Sequence, residues 1–379
     1  MDSSDDRGVS RRTALRGALV GAAGLATTAA LPDPASAAAV APVAAAVAAL
    51  PEPGRRQVAF VLSHEQFPGS TLVDNAVAAE RAGFDGVWTS DHVQPWQDDQ
   101  GHSSFPWDTL ARAGQRTSRL FLGPGVTCPI YRYRPQVVAQ SFATLGRDNP
   151  GRTFLAVGTG EALNERASVG EFGPYAERAA RLVEAVTLIR RLWTGEKTTF
   201  DGRWYRTNAF RIWDLPERPV PIYIAASGPK SAYLAGRYGD GWVTGAKEFR
   251  TMPELLREFR RGARDAGKDP DGLPVLVEQF VVAGGQAATE RAARLWRFTA
   301  DAYSSDLLYD PDPASIRRKA QRFPLPDVYA GWLRGTDPEP HVRGLQELHA
   351  QGATPFVHSG QPDQDRVLEF YRRHVLPEL

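Results

Sequence analysis

From Gln57 to the C-terminus, short apolar runs alternate with amphipathic helical patterns. This alternation limits the fold more than any other property of the chain. The runs are "QVAFVLS", "DGVWTSD", "RLFLGPGVT", "RTFLAVGTG", "PIYIAAS", "DGWVTGA", "LPVLVEQFVVAG" and "TPFVHSG". Between them lie helical stretches such as "TLVDNAVAAERAG", closed by Gly83, then "PQVVAQSFATLGRDN", "YAERAARLVEAVTLIRRLWTG", "GPKSAYLAGRYG", residues 253–267 and a region from Ala288. Strands that alternate with helices form a parallel sheet covered by helices, and eight such units close into a (β/α)8 TIM barrel of the α/β class. A doubly wound open sheet is the rival, but no G-x-G-x-x-G follows the first strand. A length of 379 residues suits one barrel with insertions. One insertion stands out: the aromatic-rich "WTGEKTTFDGRWYRTNAFRIWDLPERP" between the fourth helix and fifth strand. It reads as a hairpin or a lid over the barrel mouth, or equally as a long surface loop with buried aromatics.

The N-terminal segment is set apart from the fold. "SRRTALRG" places Arg11 and Arg12 ahead of weakly apolar residues from Gly17 to Leu31, followed by Pro34 and a small-residue stretch ending at Ala37. This resembles a twin-arginine signal peptide over residues 1–37, and it implies use of the twin-arginine translocation machinery. The apolar run falls short of the roughly 20 strongly apolar residues of a transmembrane helix. An Ala/Pro-rich linker is expected over 38–55, with the catalytic body at 56–379. The expected destination is the cell envelope, periplasm or extracellular space. Proteins sent by that route cross already folded, often with a cofactor in place.

Charge and cysteine content narrow the partners. With 45 basic against 44 acidic residues the chain has no electrostatic footprint for nucleic acid, which is held through clustered Lys and Arg. The single cysteine, Cys128, excludes an internal disulfide and a cysteine-based zinc site. The seven histidines show no metal-ligand spacing, so no metal is expected. No G-x-S-x-G elbow is present either. What is left is redox or acid/base chemistry on an organic cofactor and a small-molecule or lipid substrate.

Barrel active sites gather at the C-terminal ends of the strands. Reading those exits gives Glu65, Asp91 with His92, Gly125 with Val126, "GTGEALNE", Ser227 with Gly228, and Thr244 with Lys247. His92 lies beside Asp91 and four residues before Trp96, and an imidazole can take and return a proton at neutral pH. In "GTGEALNE", Gly158 and Gly160 let backbone N–H groups approach a flat or anionic ligand, and Glu161 offers a carboxyl group at the opening. The same motif also fits a simple turn. Ser227 and Gly228 open a helix whose N-terminus suits a phosphate, although they fit an ordinary helix start equally well.

"SHEQF", "SDHVQPW", "GHSSFPW", "TCPIYRYRP", "GTGEALNE", "YIAASGP" and "AGRYGDGW", in this order, resemble the deazaflavin-dependent dehydrogenases of the luciferase-like superfamily, over nearly the whole body. The likeness extends to two groups there, the F420-dependent glucose-6-phosphate dehydrogenases and the exported F420-dependent hydroxymycolic acid dehydrogenases. It implies coenzyme F420 as cofactor and, as is common among such barrels, a homodimer. It makes His92 the base that takes the alcohol proton and Glu161 the acid near the deazaflavin ring, with Trp96 and Glu65 shaping the pocket. Asp91, Asn164, Ser227 and Gly228 would contact the cofactor, the last two at its phosphate. Gly125 and Val126 match the position of a non-proline cis peptide behind the ring. Cys128 stands where the sugar-phosphate enzymes carry a threonine.

The same resemblance separates the substrates. Sugar-phosphate enzymes surround the phosphate with a threonine, two lysines and an arginine, which supply charge-assisted hydrogen bonds. This chain keeps Thr244 and Lys247, but Gly331 replaces the arginine and "AYSSDLLYD" holds no second lysine. The expectation is therefore an exported alcohol dehydrogenase acting on a hydroxymycolic acid-like envelope lipid. The alternatives are a sugar-phosphate dehydrogenase, an FMN-dependent monooxygenase of the same superfamily, and a non-catalytic deazaflavin-binding envelope protein.

Overall fold

The computed structural model describes residues 50–379. The expected signal peptide, 1–37, and residues 38–49 of the expected linker lie outside the described residues. Among the described residues eleven strands run in chain order: β1 Ala59–Leu62, β2 Gly86–Thr89, β3 Phe121–Pro124, β4 Leu155–Val157, β5 Thr198–Asp201, β6 Arg206–Phe210, β7 Ile222–Ala225, β8 Gly241–Gly245, β9 Val275–Ala283, β10 Leu333–Gly335 and β11 Ala353–Ser359. Eight of them pair in the order β3-β2-β1-β11-β9-β8-β7-β4. All of these pairings are parallel. Parallel bridges Leu122 to Thr153 and Thr127 to Val157 join the β3 edge to the β4 edge, so the sheet closes as a barrel. All eight apolar runs become its staves.

Side-chain alternation divides each strand between two cores. In β1, Ala59 and Val61 face the barrel axis, while Phe60 and Leu62 face the surrounding helices. The axis is filled by Val61, Trp88, Phe121, Phe154, Tyr223, Leu276 and Phe356, with Trp88 stacked on Phe356 at 4.0 Å between ring centroids. Each such side chain contributes about 1.5–3 kcal/mol by leaving water. The barrel is thus plugged below its mouth, and chemistry is confined to the rim. Leu50 packs against this axial cluster.

Glycine permits two close approaches. At Gly86 a β-carbon would come within 2.0 Å of the Phe121 ring. The helices Pro229–Tyr238 and Pro253–Asp265 meet at Gly236 and Gly262, where added β-carbons would lie 1.9 Å from the Phe259 carbonyl oxygen and 2.0 Å from that of Tyr233.

The aromatic insertion forms the antiparallel hairpin β5–β6. It is a hairpin on the outer flank and not a lid. Glu184, in the helix Tyr175–Leu192, accepts the backbone N–H groups of Arg203, Trp204 and Tyr205, and the Tyr205 hydroxyl donates to the carbonyls of Pro129 and Ile130. Tyr205 is buried in the outer core and Phe200, Trp204 and Phe210 pack against that core, whereas Trp213 is exposed. Between β9 and β11 the chain breaks into short helices, and the additional strand β10 pairs parallel with β9.

Candidate active site

The exits of β1, β2 and β4 converge on one hydrogen-bonded array. Glu65, just beyond β1, is 2 % exposed, and its Oε2 accepts the hydroxyls of Ser63 at 2.9 Å and Ser90 at 2.6 Å. Its Oε1 stands 3.4 Å from Nε2 of His92, which follows β2. Burial alone would raise the Glu65 carboxyl, but the His92 imidazole, the Ser90 hydroxyl and His358 outweigh it and hold the group below its ordinary range. On its other side, His92 Nδ1 lies 2.9 Å from the Asn164 amide nitrogen, which also reaches Glu161 Oε2 at 3.2 Å. The Asn164 oxygen accepts the Val93 N–H at 2.9 Å. A single asparagine therefore ties the expected base to the expected acid. Trp96 completes this corner, its ring 5.7 Å from that of His92 and stacked on Phe298 at 4.5 Å.

The wall behind the array is the exit of β3. The Gly125–Val126 bond is cis, as the resemblance implies. Both residues are partly open, whereas Gly123, Pro124, Thr127 and Cys128 beside them are buried. Across from them, a β-carbon at Gly158 would meet Val126 Cγ2 at 2.7 Å, so glycine lets the two exits touch. Gly160 has φ +71°, in the left-handed region that glycine adopts without strain.

Asp91 behaves differently from the expectation of a cofactor contact. Its Oδ1 accepts from Arg132 at 2.8 Å and Tyr133 at 3.2 Å, and its Oδ2 from Thr127 at 2.5 Å and Trp107 at 3.3 Å. A carboxylate has about four acceptor sites, and all are taken. Asp91 binds the loops after β2 and β3 together. Ser227 and Gly228 sit at the β7 exit, where Gly228 N–H donates to Ser231 at the start of the following helix. A β-carbon on Gly228 would find nothing nearer than 3.9 Å, so the backbone there is open to a ligand.

The substrate end departs from a phosphate cage. Lys247 donates to the Ala300 carbonyl at 2.9 Å. Thr244 pairs in register with Val277, which faces the helices, and its hydroxyl is buried without a partner. The Glu248 carboxylate folds to within 2.6 Å of where a Gly245 β-carbon would be. Tyr303 is 57 % exposed as a residue; loss of water around its hydroxyl first, then the charges of Glu248, Glu161 and Glu278, push the phenol upward. An acidic surround repels a dianion.

Three groups at the site escaped the sequence reading. Arg178, in the helix Tyr175–Leu192, donates to the carbonyls of Thr159 at 2.9 Å and Gly160 at 3.0 Å and clamps the glycine loop. Glu165 is buried, its Oε2 accepting the Arg132 N–H at 2.8 Å and its Oε1 unpartnered. Burial first, with Glu161 and Asp91 adding, pushes its carboxyl up to about 7 against the opposing pull of Arg132. His358, on β11, holds Glu278 at 2.7 Å and stacks on Phe280 at 4.3 Å, with its Nε2 buried and unpartnered. The exit "TPFVHSG" was legible as a strand, but its histidine carried no neighbouring motif. A cavity of about 520 Å³ is lined by Arg250, Trp332, Arg334 and Arg343 and, of the positions named from the sequence, by Gly331.

Comparison with known proteins gives the family. The chain is 52 % identical over 329 residues to the F420-dependent hydroxymycolic acid dehydrogenase of Mycobacterium tuberculosis, covering 87 % of this chain and 90 % of the relative. It is 43 % identical to the F420-dependent glucose-6-phosphate dehydrogenase of Nakamurella multipartita, covering 84 % and 95 %. Among solved structures, an F420-dependent secondary alcohol dehydrogenase in complex with an F420-acetone adduct superposes with a TM-score of 0.79 at 31 % identity, covering 85 % of this chain and 98 % of the other. The luciferase-like monooxygenase family model matches residues 48–355, and the chain belongs to that family.

Proposed function

We propose that the protein is a coenzyme F420-dependent alcohol dehydrogenase that oxidises a secondary alcohol on a hydroxymycolic acid-like envelope lipid to the ketone. One observation carries this reading: Glu65, His92, Asn164 and Glu161 form a continuous array beside the partly open cis Gly125–Val126 wall. The relatives named above support the cofactor and the reaction class.

The residues present fit the cofactor. The Gly125–Val126 wall would back the ring, the glycine loop held by Arg178 would border it, and the open N-terminus at Ser227 and Gly228 would meet its phosphate. Bound coenzyme F420 supplies a hydride acceptor at C5 of its deazaflavin. The protein's part is to hold the alcohol oxygen at the His92–Glu65 pair, which takes the hydroxyl proton, and to present Glu161 as acid on the ring side. Trp96, Phe298 and Leu163 form an apolar flank that excludes water and suits a lipid chain.

A sugar-phosphate dehydrogenase is the second reading, favoured by the retained Thr244 and Lys247 and by the 43 % identical relative. The engaged lysine and the nearby Glu248 and Glu278 weigh against it. Export of residues 38–379 after removal of 1–37, and assembly as a homodimer, complete the proposal; the paired arginines and the family likeness support them. Titration with F420 and with FMN, followed by tryptophan fluorescence, tests the cofactor. Preference for F420 supports the reading, and preference for FMN overturns it.

A further inference from the structure

The Asn164 amide has only one orientation that satisfies its neighbours. The Val93 backbone N–H can only donate, so the atom it meets at 2.9 Å is the amide oxygen. The NH₂ group is then the one facing His92 Nδ1 at 2.9 Å and Glu161 Oε2 at 3.2 Å, and both can accept. With Nδ1 accepting, the proton of the neutral imidazole sits on Nε2 and points toward Glu65 Oε1, 3.4 Å away. Asn164 also occupies the N-cap position of the helix Glu165–Val169, yet its side chain makes no cap bond. An asparagine there ordinarily bonds the first turn. This one is given over to the site.

The remaining lone pairs follow from the same count. His92 Nδ1 is covered, and Nε2 has a hydrogen to give and no lone pair to take one. Glu65 Oε2 already accepts two hydroxyls, whereas Oε1 stands 3.4 Å from His92 Nε2. A hydroxyl oxygen placed against this pair would receive the Nε2 hydrogen and offer its own to Oε1.

Resting on the dehydrogenase reading above, we infer that Asn164 is a positioning residue that holds His92 in the Nε2–H tautomer, so that His92 donates to the reacting oxygen and the Glu65 carboxylate accepts the alcohol proton. The O–H bond breaks toward Glu65 and its electron pair becomes the second bond of the ketone. The carbinol C–H bond breaks with its pair, as hydride, to the oxidised deazaflavin. The carbinol carbon is oxidised by two electrons, the deazaflavin is reduced by two, and Glu161 supplies the proton that the reduced ring takes up.

The test is nitrogen-15 NMR of the full chain labelled at histidine, with His92 assigned by difference against His92→Gln. The expected spectrum of the neutral His92 ring shows hydrogen on Nε2 and none on Nδ1. Asn164→Asp, which presents an oxygen in place of the amide nitrogen, moves the hydrogen to Nδ1. A wild-type His92 with Nδ1 protonated, or an Asn164→Asp spectrum identical to wild type, overturns the assignment. These readouts need neither cofactor nor turnover, so they stand even if no alcohol is oxidised, an outcome that would sink the dehydrogenase reading alone. In the loaded enzyme, Glu65→Gln should lower kcat by about 10²–10⁴ fold, the range of a lost general base. His92→Gln, which keeps an N–H donor, should lose only about tenfold. The reverse order of losses overturns the role given to Glu65.

Discussion

At the scale of single residues, the chemistry depends on which lone pairs the protein leaves unfilled. Replacing His92 with alanine removes the imidazole that stands 3.4 Å from Glu65 Oε1. It should lower kcat by at least about 10²-fold while leaving the F420 dissociation constant within a few-fold, as measured by fluorescence titration alongside steady-state kinetics. Glu165 gives a prediction for stability. Its carboxyl is raised to about 7 in the fold against an ordinary value of 4.5. A raised carboxyl favours the folded state while it is protonated, so its contribution is complete below pH 4.5 and is lost as pH rises through about 7. Glu165→Gln should therefore be more stable than wild type at pH 8 by about 1–3 kcal/mol, with the advantage fading toward pH 5 in urea melts. Equal stabilities at pH 8 would contradict the buried placement of a carboxyl with only one oxygen partnered. His92, Glu161, Asn164 and Glu65 were legible in the sequence because they lie in compact motifs at strand exits. Glu165 lies in the same motif as Glu161 and Asn164, but its burial against the Arg132 N–H, like the roles of Arg178 and His358, arises only when the fold brings distant segments together. Asp91 was legible as a site residue, but that Trp107 in the helix Pro106–Arg116 and Thr127, Arg132 and Tyr133 after β3 all converge on it was not.

At the scale of elements, the contact between the helices Pro229–Tyr238 and Pro253–Asp265 fixes the backbone that opens at Ser227 and Gly228. Gly262→Ala would force a β-carbon against the Tyr233 carbonyl oxygen. The cost should be about 1–3 kcal/mol of stability, the usual range for overpacking, and F420 should bind more weakly because the first helix shifts with its N-terminus. Denaturant midpoints and a cofactor titration check the two effects together. Phe356→Ala removes the stacking partner of Trp88 from the barrel axis and should cost about 3–5 kcal/mol. The strands were legible because buried parallel strands read as short apolar runs between turn residues. The hairpin β5–β6 was legible as an element, but its seat on the outer flank was not. That seat depends on Glu184 meeting three successive backbone N–H groups, a match that no local pattern announces. The three-residue strand β10 is too short, and too open, for alternation to show.

At the scale of the whole molecule, a plugged barrel confines function to its rim, and the charges on the rim select the substrate. Lys247 donates to a carbonyl, and the charges of Glu248 and Glu278 act on the neighbouring Tyr303 phenol, which disfavours a dianion and suits a neutral alcohol. The central claim is oxidation of a neutral lipid alcohol with coenzyme F420 as hydride acceptor. Its most direct measurement is F420 reduction by the purified full chain offered a long-chain secondary alcohol or glucose-6-phosphate, with the organic product identified by mass spectrometry. The account predicts saturable reduction with one ketone formed per F420 reduced, and no reduction with glucose-6-phosphate. Saturable reduction by the sugar phosphate, with the lipid alcohol left intact, would contradict it.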